Sequence, residues 1–383
     1  MKDRITLRDL KNNQKRREFL EKELNINLDK ISQINFEESK VVGRNIENLI
    51  GSTQIPLGIA GPLLVKSGDQ KTKEYFIPLA TTEGALVASV SRGCKAITEY
   101  GNTMVCVENI GITRGPVFKN ENLKEAMKTQ TWIKKNYKEL AKIAESTSSH
   151  LKLLKADFQI VGRNLFIRFY FDTEDAMGMN MATFATEKVV ELIERKTKAK
   201  CISLAGNFDV DKKPSWLNFI SGRGKKVWAE AILSKKIIKD ILKTTPSAIT
   251  EVVARKCYLG SIMSGSLGFN AHYANIVAAV FAATGQDLAH VAEGSLGITT
   301  AEVLEKDSLY FSVYLPSLIV GTVGGGTHLP TQQEALKIMQ VSNALEYSQV
   351  LGGAVLAGEL SLIASLAEGT LAKAHKKLGR KSK

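Results

Sequence analysis

The sequence predicts an α+β protein, with a large helix-rich domain around a central buried helix and a small βαββαβ domain inserted into it. Between about residues 116 and 205, strand-like and helix-like runs follow one another in the order β, α, β, β, α, β. On either side lie Gly- and Ala-rich segments of similar texture, as expected for one unit interrupted by another. The stretch from Cys257 to Gln286 carries no Asp, Glu, Lys or Arg, which implies a buried helix.

Residues 1-50 read as a helical segment, because Leu10, Phe19, Leu20, Leu24, Ile26 and Leu28 recur at helical spacing and could clip onto a larger body. The large domain takes 51-115 and 206-383. Within it a helix is predicted from Thr82 to Tyr100, with Thr81 or Thr82 as N-cap and Gly101 as stop, placing Glu83 in the first turn. The inserted domain, 116-205, contains strand GPVFK, a Lys-rich helix from Leu123 to about Ser146, strands LLKADFQIV and NLFIRFYFD, helix ATFATEKVVELIERK and strand AKCISLAG. Gly162-Arg163-Asn164 reads as a hairpin, and the whole order is the ferredoxin-like one. The buried helix spans about Ala271 to Thr284, is rich in alanine, and is ended by Gly285.

At 383 residues, with 44% hydrophobic and 24% charged content, the chain can build sizeable cores. No run reaches about 18 consecutive apolar residues and the N-terminus is too charged for a secretory signal, so no membrane association and a cytoplasmic location are expected. Four scattered cysteines without a CxxC pair argue against a disulfide framework and a zinc site. A net charge of +13 with a pI of about 9.4 suits anionic ligands without choosing among them.

Glu83 is the only charged side chain between Tyr75 and Ser91, so it is expected to be desolvated and to need a partner. Pro214 breaks any helix through DVDKKP, which leaves Asp209, Asp211, Lys212 and Lys213 on a loop; locally this reads as a solvated turn. A lysine ammonium beside a reacting carbonyl can also stabilise an alkoxide, and Asp211 is placed to pair with Lys212. Asp287, just past the uncharged helix, raises the same question as Glu83. Two carboxylates near one lysine could share protons, raising the pKa of one into the range of a neutral-pH acid. His272 and Asn275 read as core hydrogen-bonders, His150, His290 and His328 have no neighbours that suggest a metal, and His375 reads as a surface histidine. Gly178 in EDAMGMNM opens a helix whose free N–H groups could meet an anion, and LIVGTVGGGTHLP forms a second such cradle.

Taken in order, ENLIGSTQIPLGIAGPL, PLATTEGALVASVSRGCKAI, ITRGP, DAMGMNM, DVDKKP, NAHYANIV, GQD, GTVGGGT, GELSLIASLAEG and His375 resemble the 3-hydroxy-3-methylglutaryl-coenzyme A (HMG-CoA) reductase family over roughly residues 45 to 377. TVGGGT with DKKP is similar to the class I branch, and ENLIGSTQIPLG and VAEGS to its soluble archaeal members. The resemblance implies NADPH-dependent four-electron reduction of HMG-CoA to mevalonate with release of coenzyme A, no metal, and a homo-oligomer with sites between subunits. It assigns Glu83 as proton donor, Lys212 as oxyanion stabiliser, Asp287 as the group tuning both, and His375 as the acid for the departing thiolate. It further implies that Arg114, Asp211, Lys213 and Asn275 bind the HMG moiety. Ser89, Ser91, Arg92 and Lys95 would approach coenzyme A, and Ser148, Ser149, Asp175, Ala176, Met177, Gly178, Met179 and Asn180 the dinucleotide.

Two positions depart from the pattern. Ala205 stands where the family usually has a substrate-binding serine, and STSSH at 146 to 150 lacks the arginine that mammalian members aim at the 2′-phosphate, which keeps NADH as an alternative. Competing readings are an RNA-binding platform using exposed Phe166 and Tyr170, although the RNP-type glycines are absent, and a thioester hydrolase using Lys212, although no GxSxG elbow is present.

Overall fold

A computed structural model describes residue 7 and residues 10–68, 71–99 and 103–369. His375, the tail KKLGRKSK, Tyr100 and Gly101 lie outside the described residues. The strands are β1 (Leu57–Ser67), β2 (Thr72–Ala80), β3 (Met104–Arg114), β4 (Val117–Lys119), β5 (Lys152–Val161), β6 (Asn164–Asp172), β7 (Lys200–Ser203), β8 (Gly224–Leu233), β9 (Gly268–Phe269), β10 (Gly297–Leu304) and β11 (Ser308–Leu318). They join in one mixed sheet, ordered β7-β4-β6-β3-β8-β11-β10-β9, with β1 and β2 attached at β3 and β5 at β6.

Within 117–203 the strands lie in the order β5-β6-β4-β7, all antiparallel. β6 runs between β5 on one edge and β3 followed by β4 on the other, so both edges are paired. Five successive residues, Ile167 to Phe171, are buried, so both faces are covered there, which explains why the apolar residues of NLFIRFYFD do not simply alternate. Tyr170 is completely buried and Phe166 half-buried, so one of the two aromatic faces that an RNA platform would use is gone. The Lys-rich run is two helices, Leu123–Lys135 and Tyr137–Glu145, because Asn136 leaves helical geometry between them.

Hydrophobic side chains gather in two clusters. One draws on Ile112, Phe118 and residues through Ala199, with Ile319; the other draws on residues from Ala60 to Val105 and from Val227 to Ala364. Helix Tyr273–Thr284 begins two residues later than expected, with His272 at its N-cap position, and Gly285 ends it at φ 73°. The longest helix, Ala344–Glu368, is buried along most of its length. By length and composition it could cross a membrane, yet 83% of its apolar window is buried inside the protein. Neighbours come unusually close: a Cβ on Gly93 of helix Leu86–Thr98 would sit 1.9 Å from the Ala357 carbonyl oxygen, so only glycine permits this crossing.

The N-terminal segment is attached through polar groups more than through the expected apolar face. Leu24 and Ile26 are exposed, whereas Arg16 and Arg17 of helix Asn13–Leu24 donate to the carbonyls of Leu49 and Ile50. Asn45 reaches the carbonyl of Gly325 at 3.2 Å, which ties this segment to the glycine loop.

Candidate active site

Two glycine segments that are distant in sequence line one cavity of about 660 Å³. Its walls include Ala176 to Met181, Gly285 to Leu288, and Gly324 to Gly326. Gly178 takes φ 85° as the N-cap of helix Met179–Lys196, and a Cβ there would fall 2.3 Å from the Thr173 side chain. The backbone oxygen of Asp175 accepts from Thr322 and Val323, which clips the glycine loop to this helix entry. The Asp175 carboxylate is occupied elsewhere, accepting from the Ala344 N–H at the start of the long core helix. Ser148 and Ser149 do not line the cavity; they sit in the turn joined to Glu174 through His150 Nδ1, 2.7 Å from Glu174 Oε2.

Asp287 belongs both to this cavity wall and to an ion pair, with its Oδ2 2.8 Å from Lys212 Nζ. Its other oxygen accepts from the Ala289 N–H. Partial burial raises the Asp287 pKa, but the hydrogen bonds from Lys212 and Ala289 and the His290 and Lys212 charges outweigh it, so the net shift is downward. The expectation of a raised pKa there is therefore corrected for Asp287. The Lys212 loop is irregular, with Asn207, Val210 and Lys212 all at positive φ (63°, 52° and 56°), a strained path held by its surroundings.

What holds it is a buried network that sequence reasoning missed. Arg223 and Glu293 are both fully buried, with Arg223 Nη1 2.6 Å from Glu293 Oε1. Arg223 also donates to Thr113 Oγ1 at 2.7 Å and to Asp211 Oδ1 at 3.0 Å. Glu293 Oε1 accepts from the Lys212 backbone N–H at 3.1 Å and lies 3.1 Å from His290 Nδ1. Asp211 is thus the partner of Arg223, and the partner of Lys212 is Asp287, because the backbone turn at Lys212 sends adjacent side chains apart. Asp211, His290 and Glu293 offer ligand atoms within 4.8 Å of one another, but the Arg223 guanidinium already bridges both carboxylates. GRGK and AHVAEG carried these residues without any pattern tying them to DKKP; only an internal arginine between two glycines hinted at burial.

Glu83 is exposed and precedes its helix. Ala85 at φ 74° prevents a helical start before Leu86, and Thr81 Oγ1 accepts the Glu83 N–H in a local turn. Its carboxylate meets Asn275 Nδ2 at 3.2 Å and does not pair with Lys212. Asn275 and Pro214, two residues beyond Lys212, both line a second cavity of about 940 Å³. Arg114 Nη1 lies 3.4 Å from Asp209 Oδ2; burial pushes the Asp209 pKa up against the pull of Arg223 and Arg114. Lys213 is exposed and donates to the Asp211 backbone oxygen. On helix Leu86–Thr98, Ser89 donates to Ser361 Oγ and Arg92 bonds Ser361 and Ser365, so both are tied to the core helix. Lys95 faces outward toward Glu99, and Ser91 is half-buried.

A mixed α+β fold of this kind is found in solved structures from Streptococcus pneumoniae. The class II 3-hydroxy-3-methylglutaryl-CoA reductase bound to NADPH in open conformations matches with a TM-score of 0.69 over 94% of this chain and all of that one, at 19% identity. That likeness is one of fold. In sequence, residues 12–380 match the family described as hydroxymethylglutaryl-coenzyme A reductase. The chain is 51% identical over 374 residues to the 3-hydroxy-3-methylglutaryl-coenzyme A reductase of Methanocaldococcus jannaschii, covering 95% of this chain and 92% of that protein. Those of Pyrococcus abyssi and Methanothermobacter thermautotrophicus are 49% and 50% identical, with the same coverage. The chain belongs to the hydroxymethylglutaryl-coenzyme A reductase family.

Proposed function

We propose that this chain reduces HMG-CoA to mevalonate with NADPH, releasing coenzyme A. The observation that carries the reading is the position of Asp287, which is at once part of the glycine-lined cavity wall and the partner of Lys212. The cavity fits a dinucleotide: helix Met179–Lys196 begins at it with free N–H groups, and Gly178 is where a side chain would already clash. When bound there, a nicotinamide would supply one hydride, and a second NADPH, exchanged for the oxidised cofactor, would supply the other.

The chain's own groups handle charge and protons. Lys212 would hold the oxygen of the thioester carbonyl as it gains negative charge, and the depressed pKa of Asp287 keeps the ammonium paired across the neutral range. The resulting hemithioacetal loses its C–S bond to give an aldehyde and a thiolate, which His375 would protonate. In the second reduction Lys212 acts again at the aldehyde oxygen, and Glu83 would deliver the proton that completes the alcohol. Arg114, Asp211, Lys213 and Asn275 would surround the HMG moiety, with Ser91 and Lys95 nearer to coenzyme A; Ser89 and Arg92 serve that role only by leaving Ser361 and Ser365. Ser148, Ser149 and the 175–180 segment would meet the dinucleotide.

Glu83 and Lys212 are open to solvent in the single chain, and Leu57, Ile59 and Phe76 are exposed nearby in sequence on the β1–β2 hairpin. This supports a homo-oligomer in which a partner subunit covers and completes the site. TVGGGT and DKKP support the class I branch. The strand order β5-β6-β4-β7 and its own hydrophobic cluster support an inserted ferredoxin-like domain at 116-205, between 51-115 and 206-383.

The test mixes protein with HMG-CoA and NADPH and follows absorbance loss and thiol release together. Two cofactors oxidised per thiol freed is expected; thiol release without cofactor oxidation would make the protein a thioester hydrolase instead.

A further inference from the structure

Behind the Lys212–Asp287 pair stands a histidine that the proposed chemistry does not use. His290 is fully buried, its Nδ1 3.1 Å from Glu293 Oε1 and its Nε2 3.8 Å from Asp287 Oδ2. Nε2 is a buried atom without a hydrogen-bond partner, facing the oxygen that takes the Lys212 ammonium. Such an orphan is costly unless a small movement satisfies it.

The donor and acceptor inventory constrains the ring. Glu293 Oε1 already accepts from Arg223 Nη1 and the Lys212 backbone N–H, so the carboxylate is an acceptor and Nδ1 carries its proton toward it. Nε2 then has two states. Unprotonated, it offers a lone pair to the Asp287 carboxylate; protonated, it becomes a donor aimed at Asp287 Oδ2. The charged groups facing the ring are Asp287 and Glu293 from its own turn and the short helix after it, Arg223 from the start of β8, and Asp211 and Lys212 from the DKKP loop.

We propose that His290 is a positioning residue that braces Asp287 against Lys212 when protonated at Nε2, linking the fixed Arg223–Glu293 pair to the movable ammonium. This rests on Lys212 acting at the reacting oxygen. With the brace engaged, Asp287 Oδ2 is held by two donors and the ammonium keeps one position through both reductions.

The test uses two substitutions with opposite geometry. His290→Gln places an amide N–H near the Nε2 position, whereas His290→Asn keeps only the Nδ1-like donor to Glu293. The full-length enzyme is assayed with HMG-CoA and NADPH, with thermal melting as the check on folding. His290→Asn is expected to lower kcat about tenfold with KM changed less than twofold, and His290→Gln to restore most of kcat. Equal losses in both variants, or no loss in either, would overturn the brace. A His290→Asn variant that fails to fold leaves the decision to His290→Gln, in which a loss of kcat of about tenfold or more would overturn it equally. Lys212→Ala run alongside separates the two ideas: full activity in that variant rejects the underlying reading, whereas an inactive Lys212→Ala beside a fully active His290→Asn rejects the brace alone.

Discussion

Replacing Arg223 by methionine removes the cation from the centre of the buried network while nearly conserving volume. Glu293 is fully buried, and its Oε2 already lacks a partner, so only the Lys212 N–H and His290 would remain to hold its charge. Breaking a buried pair by removing one partner typically costs about 3–5 kcal/mol. Proton uptake by the stranded carboxyl sets a ceiling: from a free glutamate's value of about 4.3 it costs about 3.7 kcal/mol at pH 7 and about 1 kcal/mol at pH 5. Arg223→Met should therefore destabilise by about 3–4 kcal/mol at pH 7 and by about 1 kcal/mol at pH 5. The sign follows from linkage, because the folded variant binds a proton that its unfolded state does not at neutral pH, so its stability falls as pH rises. Adding Glu293→Gln to Arg223→Met should recover most of the loss at pH 7. Denaturant midpoints at fixed protein concentration and at both pH values measure all of this. A loss below about 1 kcal/mol at pH 7, or one that does not change with pH, would refute the claim that Glu293 is held as a buried anion by Arg223.

Other outcomes follow from the same geometry. Lys212→Ala should abolish reduction both of HMG-CoA and of supplied mevaldehyde, seen as loss of NADPH oxidation with each. Asp287 has a lowered pKa, so its contribution to stability is present above the unfolded carboxylate value of about 3.9 and is lost only as pH falls below it. Asp287→Asn should accordingly lower kcat by about 10²-fold or more without removing any titration between pH 5 and 8. Asp209 has a raised pKa, so its ionised form disfavours the folded state as pH rises; Asp209→Asn should melt no lower than the parent at pH 7, by calorimetry. Gly178→Ala should raise KM for NADPH at least severalfold in steady-state kinetics, since the new methyl meets Thr173 and the backbone is left-handed there.

Much of the architecture was legible because it rests on local period and punctuation. The apolar run of β6, the Gly162 hairpin, the glycine that opens helix Met179–Lys196 and the one that ends helix Tyr273–Thr284 are each properties of a few adjacent residues. The misses share a cause as well. The start of helix Leu86–Thr98 was misjudged because Ala85 adopts a positive φ that alanine gives no reason to expect. The Lys-rich run split because Asn136 leaves helical geometry in a context that its composition did not signal. Ser89 and Arg92 were expected to approach coenzyme A, and their bonds to Ser361 and Ser365 could not be foreseen, because those partners lie some 270 residues away and nothing in either stretch names the other.

By itself the sequence determined which residue types stand in which order: a lysine in a proline-broken loop, an aspartate after an uncharged helix, two glycine runs, and a pattern shared with one enzyme family. Tertiary structure decided the pairing. Lys212 chose Asp287 over its neighbour Asp211, the two glycine runs became walls of one cavity, and Arg223, Glu293 and His290 turned into the support beneath them. Side-chain chemistry is written residue by residue, whereas an ion pair is a distance, and distances between remote segments exist only once the backbone between them has closed.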